Sequence, residues 1–132
     1  MMRYDEFVNQ VRSRAHLSSG GEAVSAIRAT LMTLAERLTN STPSRLASQL
    51  PQEIGEYLLE EEGGAGEKFD LQEFYECVAE RENTRKVEAI EHSRAVMSVL
   101  SDAVPADEMD EVRSQLPKEF EPLFELAGVF RA

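Results

Sequence analysis

A chain of 132 residues with 42% apolar and 30% charged residues has the make-up of one folded domain, or of two small halves sharing a core. Its net charge of −11 would repel a phosphate backbone, and its few lysines (Lys68, Lys86, Lys118) form no basic run, so direct nucleic-acid binding is disfavoured. The longest apolar runs are too short to span a bilayer and "MMRYDEFVNQ" contains no apolar leader, so a cytoplasmic protein without membrane attachment is expected.

Taken in chain order, the apolar residues fall at helical spacing. Tyr4, Phe7, Val8 and Val11 form the stripe of a first helix. "SGGE" at Ser19–Glu22 has the spacing of a capping box and opens a longer helix with a stripe of Val24, Ile27, Leu31, Leu34 and Leu38. Thr42 is placed to cap a short third helix, with Pro43 at its first position. "SQLPQE", Ser48–Glu53, then forms a corner. Proline keeps Leu50 out of helical backbone angles and favours a helix start just after itself. A fourth helix carries Ile54, Tyr57 and Leu58 inward, and Glu53 suits its positive N-terminal end.

Three acids followed by three glycines in four residues, in "EEEGGAGEK", read as a linker. Beyond it the order recurs. Asp70 and Glu73 have the capping spacing, and Leu71, Phe74, Tyr75 and Val78 make a stripe. Ile90, Met97, Leu100 and Val104 make the next one, with Ser93 as the exception. Pro105 or Asp107 starts a short helix. "SQLPKE", Ser114–Glu119, forms a second corner before Phe120, Leu123 and Phe124.

The recurrence is quantitative. At an offset of 66 residues Glu22–Leu58 falls on Glu88–Phe124, and at an offset of 67 Tyr4–Arg14 falls on Leu71–Arg81. Fourteen of the 48 paired positions are identical. The sequence therefore reads as a tandem duplication of a four-helix unit. It predicts an all-α fold of about eight helices, packed as one domain about an approximate two-fold axis. The first repeat is residues 1–59, the linker 60–69 and the second repeat 70–132, with one core shared because neither set of stripes suffices alone.

The blocks "YDEFVNQVRSRAHL", "RATLMTLAERL", "ASQLPQEIGEYL", "FDLQEFYECVAERE", "HSRAVMSVLSDAVP" and "VRSQLPKEFEPLFEL" together resemble the prokaryotic family called domain of unknown function 2267. The resemblance runs from about Tyr4 to Leu126 and rests on the order of the six blocks. It implies this helical fold and brings no activity, cofactor or site residue with it. The acidic composition is similar to that of haloarchaeal members. A lysine-poor acidic surface suits a salt-rich cytoplasm, although the acid here is nearly all Glu.

Residues able to carry chemistry are few. Cys77 is the single cysteine and sits in an acidic stretch, which suits a structural side chain better than a nucleophile. His92 follows Glu88 and Glu91 at the wrong spacing for a di-iron bundle, and His16 has no partner in view, so both read as surface or boundary residues and no metal or cofactor is expected. Arg28 and Arg94 occupy the same place in the two long helices. They read as braces to Glu6, Glu73, Glu53 or Glu119, or as a paired anion or ligand site. Arg14 and Arg81 end their helices, where a cation is favoured. Val129 and Phe130 have no counterpart in the first half and either cover the core or form an interaction surface.

The leading expectation is a non-enzymatic intracellular helical interaction module that binds a protein partner or itself, with alanine-rich stretches letting helices approach closely. The alternative is a small-molecule or anion-binding protein using Arg28 and Arg94. An enzyme drawing acids from Glu6, Glu73, Glu53 and Glu119 is the third reading.

Overall fold

The computed structural model describes residues 1–39, 41–60 and 68–125. Among them are seven α-helices, one 3-10 helix and no strand: α1 (Tyr4–Arg14), α2 (Gly20–Arg37), α3 (Thr42–Ser48), α4 (Gln52–Leu59), α5 (Leu71–Glu82), α6 (Lys86–Ala103), α7 (Ala106–Ser114) and the 3-10 helix η1 (Lys118–Phe124).

The helix starts use glutamate at the third position to satisfy a backbone donor that has no partner within the helix. The Arg3 N–H donates to Glu6 Oε1 at 3.0 Å, the Asp70 N–H to Glu73 Oε1 at 2.8 Å and the Arg85 N–H to Glu88 Oε1 at 3.2 Å. At α2 the Glu22 N–H donates to Ser19 Oγ, 3.1 Å, while the carboxylate accepts from Ser18 rather than from Ser19. Thr42 does not cap α3. The preceding residue, Ser41, holds the N-cap position, and Thr42 lies buried, with its Oγ1 accepting from Gln115 Nε2 at 2.7 Å.

Both hexapeptides form corners. Ser48 Oγ and Ser114 Oγ each donate to a carbonyl three residues back, Arg45 and Glu111, at 2.7 Å. Leu50 and Leu116 are buried, and Pro51 and Pro117 both hold extended backbone angles immediately ahead of the next helix.

The long helices α2 and α6 touch each other at the centre. α1 packs on α2 and α6, and α5 packs on α6 and α2. One continuous core results, with residues from every helix. Phe7 and Phe74, Val11 and Val78, Leu34 and Leu100, and Ile54 and Phe120 are all fully buried. The alanine-rich stretches expected to let helices approach closely are used inside the chain: Ala23, Ala26, Ala89 and Ala95 are fully buried. So is Ser93, whose hydroxyl donates to the Ile90 carbonyl and so avoids an unsatisfied polar group.

The halves differ in their fourth element. α4 is an α-helix that buries Ile54 and Leu58, four apart, whereas η1 is a 3-10 helix that buries Phe120 and Leu123, three apart. Gly55 explains part of this. A Cβ there would lie 2.8 Å from the Ala47 carbonyl oxygen, so only glycine lets α4 approach α3 so closely. The second half has Glu121 at the matching place and Pro122 next to it, inside η1. Proline removes an N–H that an α-helix there would use.

Three arginines fasten one half to the other, among them Arg45 on α3, which pairs with Glu108 on α7 at 3.6 Å. Arg14 at the end of α1 donates to Asp102 on α6, 2.7 Å, and Arg81 near the end of α5 donates to Glu36 on α2, 2.5 Å. Gln115 of the second corner adds a further tie, accepting from the Thr39 N–H at 2.9 Å.

Candidate functional site

The chain leaves α1 and α5 in the same way. His16 and Asn83 take left-handed backbone angles, φ 57° and 59°. The next N–H then reaches back five residues, Leu17 to the Arg12 carbonyl and Thr84 to the Ala79 carbonyl, each at 2.9 Å. This is the closure that ends many helices, here without the usual glycine. It turns the chain sharply into α2 and α6. The two corners face each other across a cleft of about 450 Å³, lined by Ala15, His16, Leu17, Glu22 and Ser25 from the first half and by Glu82, Asn83, Thr84, Glu88, Glu91 and His92 from the second.

The cleft is acidic for reasons that can be assigned to individual groups. The Arg85 guanidinium, the Thr84 hydroxyl and the Arg85 N–H all donate to Glu88 and hold its carboxyl down at about 2. Donors from Ser18, the side chain first and then the backbone, lower the Glu22 carboxyl. Both are charged at any working pH.

His92 is buried, further in than the surface or boundary position expected of it. Its Nδ1 lies 2.5 Å from Glu82 Oε2, and the two side chains are 11% and 6% exposed. The partner lies ten residues back, on the other side of the α5–α6 corner, where helical spacing gives no hint of it. The hydrogen bond to Glu82 raises the His92 pKa against the lowering effect of burial, and Glu91 and Glu88 add to the rise. A raised folded-state value means that protonation stabilises the fold. That contribution is complete below the ordinary histidine value of about 6.5 and is lost as pH climbs through the higher folded value. Denaturant titrations between pH 5.5 and 9 should therefore show stability falling across this window, and His92→Gln should remove that part of the slope. An identical pH profile in the variant would contradict the pairing.

The other predicted residues lie elsewhere. Arg28 pairs with Glu60 at 3.6 Å on an exposed face, and Arg94 is half-buried with its Nε lacking a partner among the described residues. Neither lines the cleft, and no described ion pair joins them. Glu6 and Glu73 are spent on their own helix starts, and Glu119 Oε1 accepts from the Leu71 N–H at 3.5 Å, so none of these braces Arg28 or Arg94. Arg14 and Arg81 are the cross-half braces instead. The acids they reach, Asp102 and Glu36, are 66 residues apart, the offset at which the two halves of the sequence align, a signal that the sequence already contained. Val129 and Phe130 lie outside the described residues.

Cys77 is half-buried, and burial pushes its thiol up, with Glu36, Glu80 and Glu73 adding to the effect against Arg81. Alkylation by iodoacetamide at pH 7.5 should be slower than for a free cysteine, because less thiolate is present. A faster reaction would contradict this environment. Among the described residues, no group of three or more His, Cys, Asp or Glu is arranged to hold a metal ion, and no helix is long and apolar enough to cross a membrane.

The described residues define an all-helical protein with an acidic cleft between its halves. The chain belongs to the family described as "Uncharacterized conserved protein (DUF2267)", whose family model matches residues 4–123. No curated protein matches it.

Proposed function

We propose that this chain is a non-enzymatic, cytoplasmic interaction module, a tandem duplication of one helical unit about an approximate two-fold axis, which receives a protein partner at the acidic cleft. The observation that carries this reading is the origin of the cleft. Matching stretches of both repeats, residues 15–25 and 82–92, form its two walls. The duplication reading draws support from the two left-handed corners at His16 and Asn83 and from the reciprocal bridges Arg14–Asp102 and Arg81–Glu36. Several of the polar residues identical in both repeats are engaged in caps, corners and bridges.

A net charge of −11 points to a basic partner surface rather than to nucleic acid. The anion-binding reading on Arg28 and Arg94 has less behind it, since Arg28 is already paired with Glu60.

The test is a comparison of two baits. Glu91 is exposed and lines the cleft, so Glu91→Arg reverses a charge there without disturbing a buried contact. Proteins retained from the native host by the wild-type chain should be lost by this variant, and a purified partner should bind it at least tenfold more weakly. An unchanged retained set and unchanged affinity would contradict docking at this cleft.

A further inference from the structure

Glu82 differs from the other carboxylates around the cleft. Its side chain is 6% exposed, its Oε2 meets His92, and its Oε1 has no hydrogen-bond partner among the described residues. An ionised oxygen withdrawn from water without a donor is unfavourable, so such atoms in native proteins generally have a use. Glu82 also lines a cleft of about 450 Å³, within the size range of pockets that hold small organic groups. Glu22, Glu88 and Glu91 surround it with negative charge. No three ligating groups converge among the described residues, so an inorganic divalent cation is not what the arrangement suits.

We infer that the cleft binds an organic cation that presents N–H donors, a guanidinium or primary ammonium group, with Glu82 Oε1 as its buried acceptor. The positive charge is matched by the surrounding carboxylates. Glu82 Oε1 is covered in the unliganded chain, so binding turns the side chain slightly toward the cleft, and one N–H of the cation then donates to the oxygen that otherwise lacks a partner, a charge-assisted hydrogen bond. His92 keeps the Glu82 carboxylate oriented from the other side. The Ser25 and Thr84 hydroxyls, which also line the cleft, supply further acceptors. The proposal rests on the interaction-module reading only for the source of the cation, a lysine or arginine side chain of the partner. A free diamine presents the same group.

The experiment is calorimetric titration of the full chain at low ionic strength with 1,4-diaminobutane and, separately, with a short capped peptide bearing one central arginine. At least one should saturate a single site and shift the backbone amides of residues 82–92 in NMR spectra. Glu82→Gln, which keeps an oxygen for His92 but removes the charge, should weaken that binding at least tenfold. Glu56→Gln makes the same charge change on exposed α4, away from the cleft, and should alter it less than twofold. Should Glu82→Gln fail to fold, Ser25→Met narrows the cleft without changing charge and should produce the same loss. Binding by the peptide alone assigns the cation to a protein side chain, and binding by the diamine alone assigns it to a small amine; both support the cation site. Saturation by neither cation overturns it, as does equal weakening by the Glu82 and Glu56 variants. A protein partner still bound by Glu82→Gln, with no cation response in the wild type, would overturn the cation site and leave the interaction module standing.

Discussion

Phe74→Ala should lower unfolding stability by about 3–5 kcal/mol, the range for truncating a buried aromatic. The ring is fully buried and meets Phe120 edge-on, with centroids 5.9 Å apart, and Tyr75 edge-on at 6.2 Å. Such pairs add about 0.5–1.5 kcal/mol beyond burial, which places this substitution at the upper end of the range. Phe7→Ala, at the matching position in α1, is also fully buried. It should cost a comparable amount, nearer the lower end, because no aromatic pair is described for it. Since a domain has only about 5–15 kcal/mol in hand, either variant should be severely destabilised, and both together should not fold. Urea titrations of the two single variants are the check. A loss below about 1 kcal/mol at either position would show that the ring is not central to the core.

Gly55→Ala should destabilise by about 1–3 kcal/mol, although glycine-to-alanine in an open helix interior usually stabilises by roughly 0.5–1 kcal/mol. The reversal of sign comes from the contact with α3. The new methyl would stand 2.8 Å from the Ala47 carbonyl oxygen and 3.1 Å from its Cα, and neither backbone atom can give way alone. Glu121→Ala at the matching, exposed position should change stability by under about 0.5 kcal/mol. A Gly55→Ala variant more stable than wild type would mean that α3 and α4 do not approach as described.

Much of this fold can be read from the sequence, because helix stripes, acceptors at helix starts and proline corners are local signals. Glu6, Glu73 and Glu88 are examples: each caps from its own third position. The fourth element of the second half, expected as a helix like its counterpart, forms a 3-10 helix for a physical reason. Phe120, Leu123 and Phe124 satisfy both three- and four-residue spacing, so their pattern is compatible with an α-helix and with the 3-10 helix that forms. The cleft was harder to read. It depends on two non-glycine residues in left-handed conformation and on His92 meeting Glu82 across a turn, neither of which has a periodic signature. Arg28 and Arg94 drew notice because they repeat, yet repetition marks a shared architectural place as readily as a shared site.

One core built jointly by both halves of the chain is tested most directly by separating them. Residues 1–67 and 68–132, prepared as two peptides, should each give weak far-ultraviolet circular dichroism and no cooperative melting. Mixed in equal amounts, they should gain helix and melt in one concentration-dependent transition. If either half alone melts cooperatively with full helical content, and mixing adds nothing, the shared core is contradicted.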